Sequence, residues 1–224
     1  RMKSDTPKVL HQIFNKTLLG YVIDAVNNTK LADENYVIVG HQAEKVEEYV
    51  NEHYDNARTV LQSPQLGTGH AVSMVCPYLE EFEGEVIILC GDTPLITSDT
   101  LKTFIAGHRE LNSDITVMSA VFDNPTNYGR IVRNDDGSLN SIVEEKDATV
   151  EQKAIKEINA GIYCLNWAKV KNSFSQLKTN NAQGEYYLTD IIKWGNENGL
   201  SVNAHILERN EEIYGINCLL YTSD

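Results

Sequence analysis

The strongest constraint on this chain's fold is an alternation of short apolar runs with stretches whose apolar residues recur at helical spacing. Tyr36–Gly40 (Y-V-I-V-G), Arg58–Gln62, Val86–Cys90 (V-I-I-L-C) and Ile115–Val121 read as strands. Leu18–Asn27, Ala43–Tyr54, a stretch from Gly69 towards Tyr78, and Ser98–Leu111 read as helices. Val86–Cys90 carries no polar residue, the pattern of a central strand buried on both faces. The rhythm predicts an α/β domain of three layers with a mixed, mostly parallel sheet. After Val121 it changes: Arg130–Arg133, Ser141–Glu145 and Gly161–Leu165 read as short strands between polar loops, one of them N-D-D-G. Helices at Ala168–Leu177 and Leu188–Asn198 and a strand near Val202–Leu207 follow. A domain of this class ordinarily opens with a strand feeding a phosphate loop. The 17 residues ahead of the first helix hold no convincing strand, so the expectation is a domain whose first strand is missing.

Composition narrows the partners. A net charge of −13 disfavours nucleic acid and anionic membrane surfaces, both of which require a local excess of Lys and Arg. It leaves small phosphates open, because a few cations and a metal ion dominate at contact distance. No apolar stretch approaches the length of a membrane span. The 4 cysteines form no CxxC pair, and Cys76, Cys90 and Cys164 sit in apolar runs, as expected of buried reduced thiols in a cytoplasmic protein. No histidine spacing suggests zinc.

Several segments could carry chemistry. In L-Q-S-P-Q-L-G-T-G-H-A (Leu61–Ala71), Gly67 and Gly69 permit close backbone approach and Thr68 could cap the next helix; a plain capping turn explains the same residues. In G-D-T-P-L (Gly91–Leu95), Asp92 follows the apolar strand, where open α/β sheets place ligands and Mg²⁺, although an Asx-type turn fits as well. Arg1 and Lys8 could clamp phosphates or be solvated surface charge. Gly129 in N-P-T-N-Y-G-R-I, Glu144 in V-E-E-K-D-A-T and Asn159 in E-I-N-A-G-I stand where strands begin or end, suited to sugar hydroxyls or to ordinary turns. Tyr187 and Thr189 in N-N-A-Q-G-E-Y-Y-L-T-D-I-I could line a sugar pocket or pack the core.

Together and in this order, these segments resemble one family, the uridylyltransferase domain of bifunctional N-acetylglucosamine-1-phosphate uridylyltransferase/glucosamine-1-phosphate acetyltransferase. That family's signature opens L-A-A-G-x-G-T-R-M and continues to P-K-V-L-H; this chain begins at R-M and carries P-K-V-L-H at Pro7–His11. The resemblance spans residues 1–217 as one nucleotidyltransferase domain, with 218–224 an unmatched tail and no hexapeptide repeats of a left-handed β-helix. It implies a Rossmann-like nucleotide-diphospho-sugar transferase fold and uridylyl transfer from UTP to N-acetylglucosamine-1-phosphate. By position, it implies Arg1 and Lys8 as the catalytic cations. Gln62, Gly67, Thr68, Cys90 and Gly91 would bind the nucleotide. Gly129, Glu144, Asn159, Tyr187 and Thr189 would bind the sugar, and Asp92 and Asn217 would hold Mg²⁺. The parent protein is expected to be a homotrimer through a domain absent here, and the chain lacking L-A-A-G-x-G-T is expected to be nearly inactive. Rival readings are a UDP- or dTDP-glucose type of sugar-1-phosphate nucleotidyltransferase, or a non-catalytic nucleotide-sugar-binding domain.

Overall fold

The computed structural model describes residues 5–215. A one-turn 3-10 helix at Lys8–Leu10 leads into a hairpin of β1 (Gln12–Ile13) and β2 (Lys16–Thr17). Its turn residues Phe14 and Asn15 both have positive φ, 48° and 68°, as a two-residue primed turn requires. Helix α1 (Leu18–Asn27) starts there because the Thr17 hydroxyl accepts from the Gly20 amide. Strand β3 (Asn35–Val39), helix α2 (Ala43–His53) and strand β4 (Ala57–Leu61) form a β-α-β unit in which β3 and β4 pair in parallel. Val46 and Val50 of α2, four residues apart, bury against Val39, Ala57 and the α1 residues Leu19 and Ile23.

Short helix α3 (Thr68–Ser73) and a 3-10 turn at Cys76–Leu79 replace the single helix expected towards Tyr78; Pro77 at the start of that turn has no N–H to continue an α ladder. Strand β5 (Glu85–Ile88), helix α4 (Ser98–Glu110) and strand β6 (Ile115–Val121) follow, then β7 (Arg130–Arg133), β8 (Leu139–Val143), α5 (Val150–Lys153), β9 (Glu157–Asn166), α6 (Trp167–Val170), α7 (Asp190–Glu197) and β10 (Val202–Ile206). The main sheet is ordered β10-β6-β9-β7-β8, with β5 also paired to β9. Since β9 is antiparallel to β5, β6 and β7, and β10 is parallel to β6, these four strands share one direction and β8 and β9 run against them.

The layers follow from strand alternation. Even-numbered residues of β6 and β9 (Met118, Ala120, Ile158, Ala160, Ile162, Cys164) face α1 and α4 through Ala25, Val26, Leu101, Phe104 and Ile105. Odd-numbered ones (Ile115, Val117, Tyr163, Leu165) face Val72, Trp167, Val170, Leu188, Ile191 and Ile192 on the other side. Helices thus cover both faces of a mixed sheet, the α/β architecture expected from the alternation.

Two expectations are corrected here. Strand β5 is half-buried along its whole length rather than buried on both faces, because β9 is its sole strand partner among the described residues. Cys90 is exposed and Cys76 intermediate, so only Cys164 of the expected thiols is buried. No helix among the described residues is long and apolar enough to cross a membrane.

Candidate functional site

The carboxyl end of β5 delivers Cys90, Gly91 and Asp92. The Thr93 hydroxyl donates to the Cys90 carbonyl at 2.8 Å and closes the turn that presents Asp92. Lys8, carried in by the 3-10 turn after buried Pro7, donates its ammonium to Asp92 Oδ2 at 2.5 Å. The two side chains are 34% and 30% exposed, so the pair remains accessible to an incoming anion. Gly91 lies against the same segment: a side-chain carbon there would meet Val9 Cγ1 at 3.4 Å. Although Cys90 is exposed as a residue, its thiol is pushed up to about 11, by desolvation first and by the Asp92 charge second, with Lys8 opposing. It is protonated at neutral pH, which makes it a poor nucleophile.

The G-T-G loop is fixed by a segment distant in sequence. Tyr186 donates its amide to the Leu66 carbonyl at 2.8 Å, and the Gly69 amide donates to the Tyr186 carbonyl at 2.8 Å. Gly67 sits at φ +110°, and a Cβ there would come within 2.7 Å of the Tyr186 carbonyl, so both backbone conformation and space demand glycine. Thr68 does not cap the helix as expected: Gly67 is the N-cap, and Thr68 Oγ1 instead accepts from the Leu188 amide at 3.0 Å. Gln62 is buried, donates to the Gly67 carbonyl at 2.9 Å and lies 3.0 Å from His70 Nδ1.

Gly129, Glu144, Asn159 and Thr189 come together. The Asn159 amide donates to the Gly129 carbonyl at 2.9 Å, and Thr189 Oγ1 donates to Glu144 Oε1 at 3.2 Å. A Cβ on Gly129 would meet Glu144 Oε2 at 3.5 Å and Asn159 Cβ at 3.6 Å. The Asn159 side chain is held at both ends, donating to the Tyr163 hydroxyl and accepting from the Gly161 amide. Burial pushes the Glu144 carboxyl up, the Thr189 hydrogen bond opposes, and the Asp147 and Asp190 charges add to the rise. Tyr187 is buried and stands slightly apart, donating its hydroxyl to Asp147 Oδ2 at 3.2 Å; its phenol is raised to about 12 by desolvation and then by Asp147.

Contacts link these groups. Cys90 Sγ donates to the Gly161 carbonyl at 3.6 Å, joining the β5 end to the Asn159 strand. The Asp92 charge reaches Tyr128, the neighbour of Gly129, whose phenol is raised by burial, then Tyr214, then Asp92. Segment 186–189 touches both the G-T-G loop and Glu144. Arg1 and Asn217 lie outside the described residues. Asp147 escaped the sequence reading although it stands inside E-x-K-D-A: its carboxylate accepts from the Ala182 amide at 2.8 Å and from Tyr187, so it moors the N-A-Q-G-E-Y-Y loop. Tyr163 also escaped, because an aromatic in an apolar run reads as core.

Among the described residues no group of three His, Cys, Asp or Glu gathers as a metal cage. Mg²⁺ commonly takes one or two carboxylates and completes its shell with water and substrate phosphates, so a lone accessible Asp92 carboxylate fits it.

Helices cover both faces of the sheet, and a charged pair stands at a strand's carboxyl end, where open α/β sheets place ligands. The chain belongs to the nucleotidyl transferase family, whose profile matches residues 3–210. It is 48% identical over 217 residues to the bifunctional protein GlmU of Alkaliphilus oremlandii, covering 97% of this chain and 46% of that protein. To the GlmU of Caldanaerobacter subterraneus it is 43% identical over 224 residues, 100% of this chain and 48% of the relative. The chain thus spans about half the length of the curated relatives it matches. Among solved structures, a Bacillus anthracis protein described as a glucose-1-phosphate thymidylyltransferase, in complex with a sucrose, superposes with TM-score 0.71 at 18% identity, covering 90% of this chain and 78% of that one. HddC from Yersinia pseudotuberculosis, complexed with GMP-PN, gives TM-score 0.66 at 20% identity over 96% and 91% of the two chains. These two likenesses establish the shared fold.

Proposed function

We propose that residues 1–217 form a sugar-1-phosphate nucleotidyltransferase domain that transfers a uridylyl group from UTP to N-acetylglucosamine-1-phosphate in the cytoplasm. One observation carries the reading: the Lys8–Asp92 pair at the end of β5 is joined through Cys90 and Gly161 to the strand bearing Asn159. In this reading the phosphate-handling corner and the acceptor cluster share one wall. The GlmU relatives support the choice of substrates.

In this reading the sugar-phosphate oxygen attacks the α-phosphorus of UTP in line, the α–β P–O bond breaks and pyrophosphate leaves; no protein nucleophile or proton transfer is needed. Catalysis is then positioning and charge neutralisation. Lys8, with Arg1, exchanges its carboxylate partner for phosphate oxygens. Gln62, Gly67 and Thr68 read the uracil edge, beside the backbone of Cys90 and Gly91. Gly129, Glu144 and Asn159 hold the N-acetylglucosamine, flanked by Tyr187 and Thr189. Asp92, with Asn217, would hold Mg²⁺, which supplies further neutralisation of the phosphates when bound.

Pyrophosphate release tests this, with Mg²⁺, UTP and a panel of sugar-1-phosphates, for the chain alone and extended by an L-A-A-G-x-G-T leader with its preceding strand. Mg²⁺-dependent release selective for N-acetylglucosamine-1-phosphate is expected. Preference for glucose-1-phosphate would move the assignment to another branch of the family, and nucleotide-sugar binding without turnover would make the domain a binding module.

A further inference from the structure

Arg130, the first residue of β7, is 1% exposed, so a permanently charged guanidinium is enclosed by protein. Burying an ion pair is weak evidence for stability, because apolar residues of similar volume often serve as well or better. Its contacts suggest a positional reason. One terminal nitrogen donates to the Tyr128 carbonyl; the other donates to Glu145 Oε2 at 2.6 Å and to the Lys153 carbonyl, more weakly, at 3.5 Å. Its backbone position pairs with Val143 of β8 and Ile158 of β9. Each of these partners but Lys153 adjoins a residue of the acceptor cluster: Tyr128 precedes Gly129, Val143 and Glu145 flank Glu144, and Ile158 precedes Asn159.

We propose that Arg130 is a positioning residue for the acceptor site: its buried fork fixes the Tyr128–Gly129 segment against the Glu144–Glu145 turn and so sets the spacing of Gly129, Glu144 and Asn159. The inference rests on reading that cluster as the sugar-phosphate site. Arg130 acts through its neighbours and touches neither substrate. Lysine keeps the charge but cannot bridge two acceptors with the same planar geometry. Methionine fills the volume and leaves both the Tyr128 carbonyl and Glu145 without their donor.

Steady-state kinetics of R130M, R130K and E145Q test the proposal, in whichever background turns over in the assay above and alongside thermal melts. R130M should raise KM for the sugar phosphate about tenfold while KM for UTP stays within about twofold, because a misplaced pocket loses acceptor binding selectively. R130K should fall between R130M and the parent, and E145Q should move the same constant in the same direction. A role confined to stability would instead lower Tm and kcat and leave both KM values in place. Should R130M fail to fold, R130K and E145Q, with the Glu145 side chain already 27% exposed, carry the test. An unmoved sugar KM in both overturns the positioning role alone. A parent chain that turns over no sugar phosphate in either background overturns the functional reading, and this inference with it.

Discussion

The two halves of the candidate site are built in opposite ways. At the phosphate corner, Lys8 and Asp92 are each about one-third exposed, β5 is half-buried throughout and Cys90 is exposed. In the acceptor cluster, Gly129, Arg130 and Thr189 are buried, the Asn159 amide is tied to the Gly129 carbonyl and its side chain to Tyr163 and Gly161 of the same strand, and Glu144 accepts from Thr189. Charge acts over several ångströms and tolerates mobile, solvated groups, so a corner that neutralises phosphates can stay open. Hydroxyl and amide recognition depends on distance and angle, which only a packed, satisfied frame holds. The contrast predicts that substitutions at the corner change activity with little effect on stability, whereas substitutions in the cluster change both.

The largest effect should come from Asp92→Asn. Removing the carboxylate should lower kcat/KM about 10³-fold, at the upper end for loss of one electrostatic group, while the melting temperature holds. Lys8→Met should cost about 10²-fold, and stability should move by no more than about 1 kcal/mol, the ceiling for an accessible ion pair. A large fall in melting temperature for either variant would break the comparison by making the corner structural.

Gly67→Ala comes next and probes the loop between the halves. The residue would be forced to φ +110° with its Cβ within 2.7 Å of the Tyr186 carbonyl. The cost should be about 1–3 kcal/mol of stability, and UTP binding should weaken because Gln62 loses its anchor on the Gly67 carbonyl. Chemical denaturation and nucleotide titration measure the two separately. A variant as stable as the parent would show that segment 185–188 gives way, and would break the view of this loop as fixed by Tyr186.

Much of the fold was legible in the sequence, for identifiable reasons, but the openness of the phosphate corner was not: the apolar run ahead of Asp92 pointed to burial. Period-2 and helical patterns are local, so α1, β6 and β7 stand where the apolar residues put them. Asp92 after a strand and the close backbone approach at Gly67 follow from residue type and position. Partnership is not local. The sequence could not say that Thr68 would serve Leu188 rather than cap α3, since that hydrogen bond spans 120 positions. Nor could the V-I-I-L-C run reveal that it would pair with β9 alone among the described residues, because apolarity reports burial potential and not neighbours. Arg130 in Y-G-R-I gives no local sign of its role, as an arginine in a short strand reads as an exposed edge.

The smallest predicted effect divides by sign two carboxylates, Glu144 of the acceptor cluster and Glu157, two residues before Asn159 on β9. Burial raises the Glu144 carboxyl, and Thr189 only partly opposes it. At Glu157 burial also raises, but hydrogen bonds from Arg133 and Ser119 and the Arg133 charge outweigh it, and the carboxyl is lowered. A raised carboxyl binds its proton more tightly in the folded state than in the unfolded one. Its contribution is full below the unfolded value and is lost as pH rises through the folded value. A lowered carboxyl does the reverse: its contribution is present above the unfolded value and disappears as pH falls through the folded one. Relative to the parent, Glu144→Gln should therefore gain stability as pH climbs above the ordinary glutamate range, and Glu157→Gln should close its deficit as pH drops below it. Thermal melts of the three proteins between about pH 3 and pH 7 read both slopes, since carboxylates titrate in that interval. Parallel curves for the two variants would mean that Glu144 is as well solvated as the phosphate corner, and the division of the site into an open charged half and a closed hydrogen-bonded half would fail at its most buried acid.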